Sequence, residues 1–219
     1  MARPRVTIIM PARNEARAVG LVLEEIPRHL VDRVIVVDNG STDGTAGVAT
    51  AHGATVVSHP EPGYGAACLA GIAHTTGETD VVVVLDADHS DHPADLPLLL
   101  APIASGEADF VIGSRILGGA EPGALPWNQR FGNRLACHLM RVLYGVRFTD
   151  MGPFRAIRRD ALLALGMRDR TFGWNVEMQA RALIAGLRIR EVPVRYRRRV
   201  GAETRPGHPI RAVQPGLRG

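Results

Sequence analysis

The sequence predicts an α/β fold, with a mostly parallel sheet and helices on both of its faces. Apolar, β-branched runs alternate along the chain with segments that have helical spacing, as βα units require. The expected strands are nearly continuous Val and Ile, which is typical of parallel strands buried on both faces. With 219 residues, 46% of them hydrophobic and 22% charged, the chain is large enough for a single globular core.

Four strand–helix units and a fifth strand are expected in the first half of the chain. The predicted strands are 6–10, 34–37, 54–58, 81–85 and 110–113, and the predicted helices are 16–30, one from about residue 45, one from about residue 66, and 96–104. After Gly118 the pattern changes to a loop rich in Gly and Pro. Helices are then expected at 128–143, 160–165 and 176–185, with strands at 153–157 and 189–196. Residues 1–200 are expected to form one domain, and 201–219 a mobile basic tail.

Several classes of protein are excluded by composition. The 24 Gly and 15 Pro follow no repeat, which excludes fibrous proteins, and the apolar content excludes a disordered chain. No apolar run approaches the roughly 20 residues of a membrane-spanning helix, and the start of the chain lacks a signal-peptide core. These features predict a cytoplasmic protein without transmembrane helices, in which Cys68 and Cys137 are thiols and not a disulfide.

The sequence contains no lysine, so its 26 basic residues are all arginine and its net charge is +4. Lysine Schiff bases and a phosphate-binding Walker lysine are therefore excluded. The arginines crowd the last third of the chain, where they fit either the phosphate side of a site or a solvated basic face. Only Tyr196 is interleaved with them at 195–205, so no nucleic-acid partner is expected.

Polar segments follow the expected strands, at the sheet edge where open parallel sheets bind ligands. Asp86 and Asp88 flank Ala87 directly after the all-valine strand, and their mutual repulsion favours a hard cation, Mg²⁺ or Mn²⁺, shared with substrate phosphates. A pair solvated in a loop is the alternative. Asp38 ends the second strand, where a carboxylate can accept the ring N–H groups of a nucleobase. No G-x-G-x-x-G turn follows the first strand, which disfavours a nicotinamide cofactor.

Taken in order, these motifs resemble the family 2 glycosyltransferases of GT-A fold, and among them the dolichol-phosphate mannosyltransferase and polyprenyl-phosphate glucosyltransferase branch. The matching segments are PARNE at 11–15, VDNGSTDGT at 37–45, LDADHS at 85–90, GSR at 113–115, RFGNR at 130–134, TDMGPFR at 149–155 and GWNVE at 173–177. The resemblance implies a nucleotide-sugar half at about 1–115 and an acceptor half at about 116–200.

The resemblance also implies roles for individual residues. Pro11, Ala12, Glu15 and Asp38 would hold the nucleotide, and the Asp86-Ala87-Asp88 segment would bind the metal and the diphosphate. Arg115 and Arg130 would engage an acceptor phosphate, and Arg199 would close on the donor diphosphate. Two segments depart from the family pattern: Arg205 stands where a lysine is common, and Gly152-Pro153-Phe154 replaces Ser-Gly-Phe.

The expected activity is metal-dependent, inverting transfer of a hexose from a nucleotide diphosphate sugar, of GDP-mannose or UDP-glucose type, to polyprenyl or dolichyl phosphate. Such an acceptor is already an anion and needs no strong base. A soluble hydroxylated acceptor is the alternative, with Asp150 as the base and Glu177 second, unless Asp150 is a helix cap or an arginine partner. A nucleotidyltransferase is a further alternative. A lipid acceptor would be reached peripherally at the membrane through helix 128–143, with Arg134 and Arg141 toward lipid phosphates, unless that helix packs into the core.

Overall fold

A computed structural model describes residues 3–200 and contains seven strands and eight α-helices in that range. The strands are β1 (Val6–Ala12), β2 (Arg33–Asp38), β3 (Thr55–Ser58), β4 (Val81–Val84), β5 (Phe110–Ser114), β6 (Arg155–Arg158) and β7 (Ile189–Pro193). The helices are α1 (Val19–Glu25), α2 (Thr45–Ala51), α3 (Tyr64–Ala73), α4 (Leu96–Ala104), α5 (Arg115–Gly118), α6 (Trp127–Tyr144), α7 (Arg159–Leu165) and α8 (Trp174–Ile184). The expected tail, 201–219, lies outside the described residues.

All the strands join one sheet, in the order β3-β2-β1-β4-β6-β5-β7. Every pairing is parallel except those of β6, which runs antiparallel to both β4 and β5. Arg155 at the start of β6 lies opposite Val84 at the end of β4. The segment that enters β6 therefore reaches the same sheet edge as the segments that leave β4 and β5. The expected mostly parallel sheet is confirmed.

Two apolar cores cover the two faces of this sheet, because alternate residues of each strand point to opposite sides. Ile8 and Val83 belong to one core, together with apolar residues of α1, α2 and α4. Ile9 and Val82 belong to the other, which is completed by residues of α3, α6, α7 and α8. The four valines of β4 are at most 1% exposed, as expected for a strand covered on both faces. Helices on both faces are thus confirmed.

Two expected elements end earlier in the structure than the sequence indicates. The helix expected at 16–30 spans only Val19–Glu25, because Ile26 precedes Pro27 and takes an extended ψ of 124°. The final strand stops at Pro193, and Tyr196 makes only isolated bridges to Asp91 and Ala120. Between residues 3 and 200, no helix is both long and apolar enough to cross a membrane. Cys68 and Cys137 are free thiols.

Candidate functional site

The ends of β1 and β2 bring the expected nucleotide-binding residues side by side. Pro11 and Ala12 pair with Val37 and Asp38 in the parallel ladder. Asp38 is half-buried, and its Oδ1 accepts a hydrogen bond from the Ser41 amide at 3.1 Å. Its other carboxylate oxygen makes no hydrogen bond to a described residue, so it is available to a ligand at this edge.

The segment after β3 is fastened to this edge by Asn39, which is buried. The Asn39 side-chain amide donates to the carbonyl oxygens of His59 at 2.9 Å and Glu61 at 2.6 Å. Its Oδ1 accepts from the Gly63 amide at 3.0 Å. Because an amide side chain can both donate and accept, Asn39 satisfies all three groups at once. These three hydrogen bonds fix the position of the segment after β3 beside Asp38.

Asp86 and Asp88 lie at the end of β4, in an environment that opposes two negative charges. The Tyr64 hydroxyl donates to Asp86 Oδ1 at 3.1 Å. Burial, together with the neighbouring Asp88, raises the pKa of Asp86 to about 7. Asp88 Oδ1 is held by the Ser90 amide at 2.9 Å and the Ser90 hydroxyl at 2.5 Å. A bound cation would offset the cost of ionising both carboxylates.

The donor set around these aspartates fits a hard divalent ion that shares its coordination with a ligand. No cluster of three or more His, Cys, Asp or Glu suited to a metal occurs among residues 3–200. Asp86 and Asp88 would then supply the protein's ligands, and phosphate oxygens and water the remainder, as is usual for Mg²⁺. Asp91 lies close by, is 1% exposed and has neither carboxylate oxygen hydrogen-bonded. Burial, together with the charges of Asp86 and Asp88, raises the pKa of Asp91 well above its usual value.

Arg199 joins residues of the donor side that are far apart in sequence. Its Nη2 lies 2.5 Å from Glu15 Oε1, and its Nε lies 3.6 Å from Asp88 Oδ2. The segment that contains Arg199 is held next to Asp88 by a backbone hydrogen bond. The Val200 amide donates to the Asp88 carbonyl oxygen at 3.0 Å. The structure therefore brings Glu15, Asp88 and Arg199 together.

Arg115 and Asp150 form a buried ion pair on the other side of the site. Asp150 is 0% exposed and accepts from the Arg115 backbone amide at 2.8 Å, from Nε at 2.8 Å and from Nη2 at 2.7 Å. The Met151 amide donates at 2.8 Å to Asp150 Oδ1, the oxygen that also accepts from Arg115 Nη2. Both oxygens of Asp150 are thus committed to donors, which favours the arginine-partner interpretation over a general base.

Glu177, the second candidate base, is engaged in a similar way. It accepts from the amides of Arg168 at 3.0 Å and Asp169 at 2.7 Å, and from Arg181 Nε at 2.6 Å. The bonds from the two amides join the loop before α8 to the first turn of that helix. The environment of Glu177 is therefore that of a carboxylate that anchors a loop.

A basic cavity of about 240 Å³ opens beside the ion pair. Arg115 lies on one wall, and Arg130 and Arg134 lie on α6. Ile116, Ala120, Leu125, Asn133 and Thr149 complete the lining. Three arginines around one cavity suit a phosphate, because a guanidinium group can engage phosphate oxygens through two N–H groups. The structure thus brings Arg115 and Arg130 to one cavity and adds Arg134.

An apolar groove of about 340 Å³ is also lined by α6. It runs between α6 and α8 and is lined by Gly132, Leu135, Ala136, Leu139, Met140, Leu143, Tyr144, Val176 and Ala180. Met140 is the one fully buried residue of the 18 in α6. Most of this long helix is therefore exposed, including Leu135, Leu139 and Leu143, and it contributes little to the core.

Sequence reasoning missed several residues that shape the site. Tyr64 lies between two glycines, where a lone tyrosine carries no distinctive signal. Asp91 follows the aspartate pair by three positions, where a loop acid carries no distinctive signal. Glu191 is the one acidic residue of β7, whose sequence is IREVP, and beside Arg190 it carries no distinctive signal.

Comparison with known proteins gives a consistent result. The model of the family described as glycosyl transferase family 2 matches residues 7–166. An uncharacterized glycosyltransferase of Mycobacterium tuberculosis is 41% identical, over 96% of this chain and 94% of its own length. The undecaprenyl-phosphate mannosyltransferase of Micrococcus luteus is 32% identical, over 88% of this chain and 83% of its own.

Among solved structures, glucosyl-3-phosphoglycerate synthase of Mycobacterium tuberculosis, crystallised with Mn²⁺, UDP and glucosyl-3-phosphoglycerate, is similar to this chain. Its TM-score is 0.71 at 26% identity, over 90% of this chain and 71% of that one. The mostly parallel sheet, the polar strand ends and these similarities agree. The chain belongs to glycosyl transferase family 2 and is a glycosyltransferase of GT-A fold.

Proposed function

We propose that this enzyme transfers a hexose from a nucleotide diphosphate sugar to polyprenyl phosphate, with inversion and with the help of Mg²⁺ or Mn²⁺. The observation that carries the proposal is that one helix, α6, lines both the basic cavity at Arg115, Arg130 and Arg134 and an apolar groove. A phosphate and the isoprenyl chain joined to it have these two chemistries. The named polyprenyl-phosphate relatives support the same class of acceptor.

The donor would lie in the half formed by residues 1–115. Asp38 would accept the N–H groups of the base beside Pro11 and Ala12, and the diphosphate would lie against Ala87, between the aspartate pair and Arg199. Asp86 and Asp88 are the residues that would hold the cation, which offsets the negative charge of the leaving diphosphate. Arg199, already between Glu15 and Asp88, is placed to contribute positive charge at the same point.

The acceptor would lie in the half formed by residues 116–200, together with Arg115. An acceptor phosphate oxygen attacks the anomeric carbon of the sugar while the bond from that carbon to the nucleotide diphosphate breaks. Because the nucleophile is an anion, this step needs positioning and charge stabilisation more than a base. Asp150 would then hold Arg115 in place and would not remove a proton, in keeping with its fully occupied oxygens.

Contact with a membrane surface would let the enzyme reach a lipid acceptor. The exposed apolar residues of α6 are accompanied on the same helix by the exposed Arg130, Arg134 and Arg141. A helix with this composition can lie in the interface of an anionic membrane, with its arginines at the lipid phosphates.

A soluble acceptor is the second candidate, favoured by the similarity to glucosyl-3-phosphoglycerate synthase. A radiolabelled transfer assay separates the two by offering polyprenyl phosphate, the corresponding alcohol and 3-phosphoglycerate. We expect label to enter polyprenyl phosphate, and Arg130→Ala to raise its KM, with Arg190→Ala, an exposed arginine on β7, as the control. Transfer of label to the alcohol or to 3-phosphoglycerate, with none to polyprenyl phosphate, would contradict the proposal.

A further inference from the structure

The turn formed by Thr149, Asp150 and Met151 determines where Arg115 lies. Asp150 holds the Arg115 guanidinium through two hydrogen bonds of 2.8 and 2.7 Å. Thr149 Oγ1 lies 2.6 Å from the hydroxyl of Ser114, the residue directly before Arg115. Any displacement of the 149–151 turn would therefore also move Arg115, which lines the basic cavity.

Glu191 fastens this turn from the side of β7. Its carboxylate accepts from the Thr149 amide at 3.0 Å, from Thr149 Oγ1 at 2.9 Å and from the Asp150 amide at 3.1 Å. Every hydrogen bond that the structure gives to the Glu191 side chain goes to the turn. Glu191 is half-buried and does not line the basic cavity.

The opposite side of the turn is fastened by Asn133 of α6. Asn133 Oδ1 accepts from the Met151 amide at 2.8 Å, and its side-chain amide donates to the Thr149 carbonyl oxygen at 3.1 Å. The same helix carries Arg130 and Arg134, one turn away from Asn133 or adjacent to it. The turn is thus held between β7 and the helix that supplies the other arginines of the cavity.

We propose that Glu191 is a positioning residue of the acceptor site, which fixes the 149–151 turn and through it the spacing between Arg115 and Arg130. This inference rests on the proposed function, in which these arginines bind a phosphate. A carboxylate is suited to the role because it only accepts hydrogen bonds, and the turn presents two backbone N–H groups and a hydroxyl. A glutamine of the same shape would direct an N–H₂ group at one of those donors.

The test is a double-mutant cycle read on binding of farnesyl phosphate by calorimetry, with farnesol as the neutral comparison. Glu191→Gln should weaken binding about tenfold, the order expected when a hydrogen-bonded charged partner is lost. In an Arg115→Ala background the same substitution should change binding by less than about twofold, because the group it positions is absent. Nucleoside diphosphate affinity should not change, and Glu107→Gln, an exposed acid, is the control.

Equal weakening in both backgrounds would overturn the inference and leave the proposed function intact. A crystal structure of the Glu191→Gln protein gives a second measurement that does not depend on any ligand. We expect the 149–151 turn and the Arg115 guanidinium to be displaced relative to Arg130, and an unmoved guanidinium would overturn the inference. Failure of the unmodified protein to bind farnesyl phosphate would contradict the proposed function, and the crystal structure alone would then decide the role of Glu191.

Discussion

Asp150 receives three hydrogen bonds from Arg115, one from the backbone amide and two from the guanidinium group. Neither side chain is well exposed, at 11% for Arg115 and 0% for Asp150. Removing one member of a buried pair leaves the other charge without a partner. We expect Asp150→Ala to lower the free energy of unfolding by about 3 kcal/mol, measured by urea denaturation.

The control for this prediction is the exposed pair between Arg158 and Asp160, in which Asp160 is 68% exposed. Asp160→Ala should cost no more than about 1 kcal/mol, since water screens such pairs. Equal costs for the two variants would show that the Arg115–Asp150 pair does not behave as a buried one.

Asp86 should destabilise the metal-free protein at neutral pH. Its pKa rises from 3.8 to about 7 in the folded state through burial and the charge of Asp88. The folded state therefore holds this proton more tightly than the unfolded state, and stability falls as pH rises through this window. In the presence of a chelator, Asp86→Asn should have the same melting temperature as the unmodified protein near pH 4. Above about pH 7 its melting temperature should be higher than that of the unmodified protein.

Thermal unfolding across this pH range measures the difference, with Glu107→Gln as a neutral surface control. The same Asp86→Asn protein should lose the Mn²⁺ dependence of its nucleoside diphosphate binding. A melting temperature at or below that of the unmodified protein at about pH 8 would contradict the prediction.

Asp38 should contribute to binding of the nucleobase. We expect Asp38→Ala to weaken nucleoside diphosphate binding by about 1 to 3 kcal/mol, the cost of leaving base N–H groups without partners. Calorimetric titration tests this, with binding of inorganic diphosphate as the control because that ligand has no base. An unchanged nucleotide affinity would place the base away from β2.

Leu139 should contribute to membrane binding through the apolar face of α6. Leu139 is 47% exposed on α6, and Leu98, on α4, is 45% exposed and serves as a matched control. Leu139→Asp should abolish cosedimentation with vesicles of anionic phospholipid, because the interface disfavours a carboxylate. Leu98→Asp should have little effect. Loss of binding in both variants, or in neither, would contradict a specific role for α6.

Gly65 should tolerate no side chain. A Cβ there would lie 2.2 Å from the Asp169 carbonyl oxygen, so Gly65→Ala should separate α3 from the 169–173 loop and cost about 1 to 3 kcal/mol. Gly47, in α2, has nothing within 4 Å of the same position, and Gly47→Ala should stabilise by about 0.5 to 1 kcal/mol. Denaturant unfolding of both variants measures the two changes in the free energy of unfolding, which should have opposite signs. Changes of the same sign would contradict the packing argument.

Much of the half formed by residues 1–115 could be predicted from sequence, because the signals for its strands and helices are local. The helix at Leu96–Ala104 begins and ends where its apolar spacing indicates, and β4 is visible as an unbroken run of valine. The motif residues after β1, β2 and β4 converge because parallel strands share one edge. One local feature acts against the apolar spacing, because Pro27 ends α1 before the residues at which that spacing stops.

The half formed by residues 116–200 was less predictable, because its main side-chain contacts join residues that are distant in sequence. Asp150 and Arg115 are 35 positions apart, and Glu191 and Thr149 are 42 apart. The sequence indicated both an arginine partner and a base for Asp150, and only the occupied oxygens favour one of them. The direction of β6 was equally hidden, since four residues read the same in parallel and antiparallel pairings.

Because β6 runs in the reverse direction, we expect substitutions on the two sides of the site to be independent of each other in evolution. Because this strand enters the sheet at the edge where β4 and β5 leave it, the turn before it lies at the same edge as the ends of β1, β2 and β4. Under the proposed function, this turn would serve the acceptor and those strand ends the donor. We then expect the stretch from Arg115 to Phe154 to accumulate substitutions that suit a new acceptor without altering the strand ends that would face the nucleotide. Acceptor preference would in this sense be modular, and one donor scaffold could serve chemically different acceptors.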